Sequence, residues 1–338
     1  MVKVSVIITT HNRKDLLKRA LASVLNQTYH DLECIVVDDA SDDGTSEMLK
    51  NMFGIVYIYI PKNEGHGANH ARNVGVQRSK GEYVAFLDDD DYWLPMKIEK
   101  QVELMETGEY VLCSCGRYFE EVHADGSTKL QNDDFGLFFP ENMQKQILYR
   151  FVFTTSLIMV RKSSLFSIGL FDKELCFWQE YEMAIRLAQI GKFAFVNDTL
   201  AVYRYNPFDK FRLSNNYNRW LNAVEYVYEK HIALYRQLSD SEFLMYFSHI
   251  WTDAMNRCRI EGYKKMEICY GGLSDEIKGI IDNNVNPRYV WKCFPVLLFL
   301  LPYVVCKKQI KSDVALIFIY KARKLYRQIR KYKTVLLG

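Results

Sequence analysis

No glycine-rich phosphate loop occurs in this sequence. Neither G-x-x-x-x-G-K-S/T nor G-x-G-x-x-G follows an apolar run, which argues against a P-loop nucleotidase and a dinucleotide-binding enzyme. The eight cysteines, at positions 34, 113, 115, 176, 258, 269, 293 and 306, keep no metal-ligand or disulfide-scaffold spacing. The N-terminus lacks the charged, apolar and small-residue order of a secretory leader, so the expectation is a cytoplasmic protein with reduced core thiols. Cys113 and Cys115 alternate along an apolar run, placing both sulfurs on one face of a strand in a structural role. There is no internal repeat or low-complexity segment. The uncharged run from Cys293 to Cys306 has fourteen residues and contains Pro295 and Pro302. It is too short for a bilayer span of about 20 residues.

What is present is the composition of a folded, core-forming chain of 338 residues, 49% hydrophobic and 25% charged. Val2 to Thr10 reads as a strand, and Leu16, Leu17, Ala20, Leu21, Val24 and Leu25 then recur at helical spacing behind Asn12, a candidate N-cap. The alternation repeats: strand 33–39, helix 45–52, strand 55–60, helix 67–79, strand 83–87. Near-continuous apolar strands alternating with helices predict an α/β fold with a mostly parallel central sheet covered on both faces. Beyond it the pattern predicts a helix to about residue 106, a long strand over 110–122 and a turn at 124–127. It then predicts helices over 141–151 and 179–190 framing a strand over 157–160, short strands at 193–196 and 200–204, and helices over 217–237, 241–260 and 263–281. The domain expectation is an α/β domain over 1–206, in two halves, one to about 94 and one over 95–206. A helical extension over 207–285 and a tail over 286–338 follow.

Charge is distributed unevenly. From residue 286 onward twelve Lys and Arg face a single acid, Asp313, so the tail carries +11 and the rest of this +3 chain carries −8. An apolar segment followed by a basic amphipathic helix predicts an interfacial anchor on an anionic membrane surface. A helix packed on the α/β domain and a nucleic-acid-binding tail are the other readings of the same residues.

The most informative stretch is Phe86-Leu-Asp-Asp-Asp-Asp-Tyr-Trp93, four carboxylates at the end of an apolar strand. Adjacent carboxylates repel, so the arrangement predicts a positive partner, and oxygen ligands suit a divalent cation, Mn²⁺ or Mg²⁺, completed by phosphate and water. Asp88 and Asp90 leave the strand end on the same side, which makes them the candidate metal ligands. In open α/β sheets ligands bind beyond the carboxyl ends of the strands, where Thr9 to Asn12, Asp38-Asp39, Asn63 to Gly67 and Asp88 to Asp91 are expected to converge.

Val4-Ser-Val-Ile-Ile-Thr-Thr-His-Asn-Arg, Leu25-Asn-Gln-Thr-Tyr, Val36-Val-Asp-Asp-Ala-Ser-Asp-Asp-Gly-Thr, Asn63-Glu-Gly with Ala71-Arg-Asn-Val-Gly, and Gly81-Glu-Tyr-Val-Ala-Phe-Leu-Asp-Asp-Asp-Asp occur in order. Together they closely resemble family 2 glycosyltransferases of the surface-polysaccharide type, inverting enzymes with the GT-A nucleotide-sugar-binding fold. The resemblance covers roughly residues 2–205. It implies donor contacts at Thr9, His11, Arg13, Asp38, Asp39, Asn63, Arg72, Asp88 and Asp89, with His11 stacking on the base where the family often has Tyr, and Asp38 supporting its turn. Arg204 and Arg212 would clamp the departing diphosphate. Trp178-Gln-Glu-Tyr-Glu resembles the family's acceptor-side segment and implies Glu180 as the catalytic base, where the family usually has Asp. Glu182 is the rival and Asp172 a turn acid.

The implied activity is metal-dependent transfer, with inversion, from a UDP-sugar to a lipid-linked or polysaccharide acceptor, by a protein held peripherally on the inner face of the cell membrane. The alternative classes are a non-catalytic nucleotide-sugar-binding module and a nucleotidyltransferase releasing pyrophosphate.

Overall fold

The computed structural model describes residues 2–64, 67–133, 142–150, 153–209, 217–239, 242, 246, 249 and 250. The expected helix over 263–281, the basic tail and Arg212 lie outside the described residues, as does most of the expected helix over 241–260. The chain divides into two compact units, one of Met1–Ile147 with Phe151–Asn215, the other of Leu148–Arg150 with Asn216–Gly338.

The first unit is built on one sheet. Strands β1 (Val4–Thr10), β2 (Leu32–Asp39), β3 (Ile55–Ile60) and β4 (Tyr83–Asp88) alternate with helices α1 (Lys14–Leu25), α2 (Thr45–Lys50) and α3 (Ala68–Arg78). β5 (Tyr92–Trp93), α4 (Lys97–Glu106), β6 (Tyr110–Val122), β7 (Thr128–Asp133) and α5 (Met143–Gln146) follow. A 3-10 turn (Thr155–Leu157), β8 (Met159–Arg161), α6 (Lys162–Ser167), α7 (Gln179–Ala188) and β9 (Lys192–Tyr205) complete it. The sheet order is β3-β2-β1-β4-β8-β6-β9-β5, with β7 on the free side of β6. β3, β2, β1 and β4 run parallel, as the continuous apolar strands predict, and β8 enters antiparallel between β4 and β6.

The register sets the site. Thr9 lies level with Val37 of β2 and Asp88 of β4, and Thr10 with Asp38, so three strands end on one line. α3 lies against β1 at Gly75, where a Cβ would come within 2.7 Å of Ile7, so glycine keeps the helix, and Arg72 on it, close to the sheet.

Several expectations are corrected. Asn12 does not cap α1. It takes a left-handed conformation (φ 54°), and the Asp43 carboxylate accepts the Lys14 N–H at 2.9 Å, capping the helix from another loop. The two short strands expected over 193–204 are one bulged strand, because the polar Asn197-Asp198 step protrudes to solvent while the β6 ladder resumes beyond it. β7 is an exposed polar edge strand without a buried stripe, and β5 has only two residues, so neither shows an apolar period. The helix expected over 141–151 is four residues long. Cys34, Cys113 and Cys115 are buried thiols, with Cys113 and Cys115 in one apolar cluster, but Cys176 is exposed and no core thiol.

In the second unit, α8 (Tyr217–Lys230) and α9 (Ile232–Tyr235) bury Trp220, Val224 and Val227, and the rings of Tyr228, Tyr235 and Tyr246 stack with centroids 4.7–6.3 Å apart.

Lys97 is fully buried, its ammonium donating to Gln101 Oε1 (2.7 Å) and lying 4.0 Å from the Trp93 ring centroid. Burial pushes its pKa from 10.5 down to about 8. Between those values the unfolded chain holds a proton that the folded protein has released, so this group's contribution to stability rises with pH across that window. The buried thiols of Cys113 and Cys115, pushed up to about 12 and about 11, act in the opposite sense, so the wild type alone does not isolate it. The unfolding free energy of wild type minus that of Lys97→Met is expected to climb by about 3 kcal/mol from neutral to strongly alkaline pH in denaturant titrations. A difference that stays flat would contradict the burial of this amine.

Candidate active site

The ends of β1 and β2 are laced together. The Asn12 N–H donates to Ser41 Oγ (2.9 Å), and Asn12 Oδ1 accepts the Asp42 N–H (2.8 Å). Asn12 and Ala40, the latter at φ 59°, both sit in the left-handed region directly past their strands. Such residues cost of order 1–3 kcal/mol each and gather where function over-determines the backbone. Asp38 is buried, accepting from the Ser41 N–H and the Tyr57 hydroxyl. It holds this turn. Asp39 is placed differently. One carboxylate oxygen accepts the Gly67 N–H (3.0 Å), and the other, Oδ1, is buried without a hydrogen-bond partner among the described residues. A buried acceptor left unpaired is a place for a ligand hydroxyl or N–H. His11 is exposed, with Nδ1 2.5 Å from the Asp39 carbonyl oxygen, which fixes the Nδ1–H tautomer. Asn63 lies exposed in the turn after β3.

The four aspartates alternate. The Asp88 and Asp90 side chains are 31% and 19% exposed, against 6% for Asp89. Asp89 turns inward, accepting from Thr10 Oγ1 (2.8 Å) and Arg13 Nη1 (3.1 Å). Burial raises its pKa and Arg13 opposes the rise. Asp91 is buried, and its pKa is pushed well up by burial, with the charges of Asp90 and Asp88 adding to it. It accepts the Ser156 hydroxyl (2.6 Å) and the Arg204 N–H (2.9 Å). Arg13 joins Asp89, Asp90 (3.3 Å) and Asp209 (2.8 Å). Arg204 reaches Glu120 (3.3 Å), which also pairs with Arg19 (3.0 Å). A cavity of about 570 Å³ opens beside the row, with Arg13, Asp43, Arg204, Phe208 and Asp209 in its wall. Asp39, Asp88, Asp90 and Glu180 are not among the residues in its wall.

A divalent cation is tested by this donor set. No group of three or more His, Cys, Asp or Glu gathers around one point among the described residues, so a cation held by protein ligands alone does not fit. Two outward carboxylates at one-residue spacing do fit a hard cation whose other ligands are phosphate and water.

The acceptor-side segment meets this row through Arg72. That guanidinium, 6% exposed, donates to Asp88 Oδ1 (2.7 Å), to Gln179 Oε1 (2.7 Å) and to Asn69 Oδ1 (3.2 Å). It thereby ties the end of β4 to the first turn of α7. Trp178, at φ 56°, turns the chain into that helix. Glu180 follows, half-buried, and its pKa is raised, first by burial and further by the Asp88 charge, with Arg72 and Arg117 opposing. The rival Glu182 is fully buried and bonded at both oxygens by Arg186 (2.9 and 2.6 Å), a structural pair. Asp172 caps its own turn by accepting the Glu174 N–H. Ser156, Gln179, Arg117 and Asp209 were not foreseen. Gln179 lies in the Trp178-Gln-Glu-Tyr-Glu segment quoted above but had no expected role, and the other three are ordinary polar residues in unremarked runs, brought here by pairings between distant positions or by the fold of a loop.

A model described as glycosyl transferase family 2 matches residues 5–173. The chain belongs to this family. As a family 2 glycosyltransferase it is 42% identical over 118 residues to the UDP-Glc:alpha-D-GlcNAc-diphosphoundecaprenol beta-1,3-glucosyltransferase WfaP of Escherichia coli, a match covering 35% of this chain and 47% of that protein. It is 42% identical over 106 residues to the putative teichuronic acid biosynthesis glycosyltransferase TuaG of Bacillus subtilis, covering 30% of this chain and 41% of that one. These matches thus span less than half the length of either relative. Among solved structures, S. aureus TarS 1–349 in complex with UDP-GlcNAc superposes with TM-score 0.65 at 16% identity over 96% of this chain and 92% of that one. The mannosyltransferase PcManGT of Pyrobaculum calidifontis, in complex with GDP-Man and Mn²⁺, does so at 0.51 and 17%, over 92% and 88%. The fold of this glycosyltransferase is GT-A, as the motifs imply. No helix among the described residues is long and apolar enough to cross a membrane.

Proposed function

We propose that this glycosyltransferase transfers a sugar from a nucleoside-diphosphate donor, a UDP-sugar, to a hydroxyl of a lipid-linked or polysaccharide glycan, with inversion at the anomeric carbon. The main support for the reading is Arg72, which bonds both the outward Asp88 and Gln179, the residue before Glu180, whose carboxyl pKa is raised by burial. Glu180 takes the proton of the acceptor hydroxyl, that oxygen attacks the anomeric carbon, and the bond to the nucleoside diphosphate breaks on the opposite face. Asp39, with its unpaired buried oxygen, holds a polar group of the nucleoside. Arg72 orients Asp88, while Arg13 and Arg204 supply positive charge near the row, Arg204 also bordering the adjoining cavity. Asp88 and Asp90 would hold a divalent cation, which supplies charge stabilisation to the leaving diphosphate.

The donor class is supported by the UDP-GlcNAc complex of TarS, and the acceptor class by the diphosphoundecaprenol-linked acceptor of WfaP and by the teichuronic acid biosynthesis to which TuaG is assigned. Attachment to the inner membrane face through 286–338 rests on the charge and apolarity of that stretch.

The test is release of nucleoside diphosphate from UDP-glucose, UDP-GlcNAc and GDP-mannose with Mn²⁺, with Mg²⁺ and with chelator. Release from one donor is expected, falling about 10²-fold or more on chelation and in Asp90→Asn. Neither release nor binding with any of these donors would overturn the reading, and binding without any turnover would favour a non-catalytic module.

A further inference from the structure

The aspartate row is useful only if Asp88 and Asp90 are held at fixed directions, and the strand end does not do this alone. The Asp91 N–H returns to the Asp88 carbonyl (3.1 Å), closing the four residues into a turn. A single buried hydroxyl then spans that turn. Ser156, 1% exposed, accepts the Asp88 N–H (3.1 Å) and donates to Asp91 Oδ2 (2.6 Å), so one side chain grips the first and last residues of the row. A hydroxyl has one donor and two acceptor positions, and this use commits its only proton. Both flanks are anchored as well. The Ser156 carbonyl accepts the Trp93 Nε1–H (2.7 Å), and Asp91 Oδ1 accepts the Arg204 N–H (2.9 Å) on β9.

We propose that Ser156, acting with Asp91, is a positioning residue that sets the directions of Asp88 and Asp90 toward the donor diphosphate. The inference rests on the donor-site reading above. Asp91 is thereby removed from the set of possible ligands: it is the fastener of the row, and Asp88 and Asp90 are what it fastens. Misplacement of reacting groups by about 1 Å costs on the order of 10²-fold in rate, so a methyl in place of this hydroxyl is felt at the reaction without touching substrate.

The experiment compares full-length wild type, Ser156→Ala, Ser156→Thr, Asp91→Asn and Trp93→Phe. It measures melting temperature, UDP affinity by calorimetry with and without Mn²⁺, and kcat and KM on the nucleotide-sugar that wild type turns over. Ser156→Ala is expected to lose between ten- and a hundred-fold in kcat and to weaken Mn²⁺-dependent UDP binding several-fold. Ser156→Thr, which keeps the hydroxyl, restores most of both. Asp91→Asn lowers kcat in the same direction, which keeps the inference testable should Ser156→Ala fail to fold. Trp93→Phe removes a bond to the same residue at its carbonyl and is expected to lower kcat less than Ser156→Ala does. If Ser156→Ala and Asp91→Asn lower only the melting temperature, Ser156 is a structural residue and the inference is overturned. If wild type binds UDP and these variants do not differ from it, the inference fails and the donor site stands; if wild type binds no nucleotide, the donor-site reading fails first and takes this inference with it.

Discussion

Replacing Glu180 by Gln lowers kcat by about 10²–10⁴-fold, the usual contribution of a positioned general base. Donor KM changes little, because Gln keeps the size and the polarity of the side chain. The wild-type pH profile of kcat/KM, which reports the free enzyme, carries the same information. A base works deprotonated, and the Glu180 pKa is raised above its ordinary 4.5, first by burial and then by the Asp88 charge. The acidic limb of the profile therefore lies above the usual carboxylate range. Linkage gives a second, opposite readout. A carboxyl with a raised folded-state pKa holds its proton longer in the folded protein, so its contribution to stability falls as pH rises through that window, and at neutral pH the ionised group destabilises the fold. Glu180→Gln is accordingly expected to melt at a higher temperature than wild type at pH 7 while being far slower. Glu182→Gln behaves in reverse: it breaks a fully buried pair with Arg186 and loses stability, with the kcat of the folded fraction retained. Retained kcat in Glu180→Gln together with a lost kcat in Glu182→Gln would assign the base to the wrong carboxylate.

Arg72→Met is expected to destabilise the protein by about 3 kcal/mol and to inactivate what remains folded. The guanidinium is buried among Asp88, Gln179 and Asn69, and its removal leaves Asp88 without its counter-charge and Gln179 without its donor. Both ends of the proposed chemistry lose their alignment together, since Asp88 belongs to the row and Gln179 precedes Glu180. Denaturant titration measures the first effect, and turnover corrected for folded fraction the second. Arg72→Lys separates them, because an ammonium keeps the charge yet cannot bond Asp88 and Gln179 in the same fork. It recovers part of the stability and little of the rate. Full activity in Arg72→Met would show that the two segments are held in register by something else.

The parts of this protein that its sequence made legible are those with a short period or a local motif. The apolar strands β1, β2 and β4 and the helices between them follow from side-chain spacing, because burial on both faces leaves few polar positions inside such a strand, and β3, at the sheet edge, follows from its run of β-branched and aromatic residues. The strand-end residues follow from the topology rule for parallel sheets, and the family from five motifs in order. β5, β7 and the bulge in β9 were not legible, since a two-residue pairing, a polar edge and a protruding Asn197-Asp198 step carry no apolar period.

Within the site, the sequence by itself determined that four carboxylates stand at the end of β4 and that Glu180 and Glu182 stand in the first turn of α7. It could not say which of them face outward. Only the tertiary structure decided that Asp38, Asp89 and Asp91 serve the backbone and neighbouring side chains while Asp88 and Asp90 keep the more exposed carboxylates of the row, and that Glu182 pairs with Arg186 while Glu180 lies within reach of the Asp88 and Arg117 charges. The physical reason is distance along the chain. The partners that make these choices, Thr10, Tyr57, Ser156, Arg72 and Arg13, come from separate elements, and a carboxylate's role is set by whichever donor the folded chain brings against it, which no local pattern records.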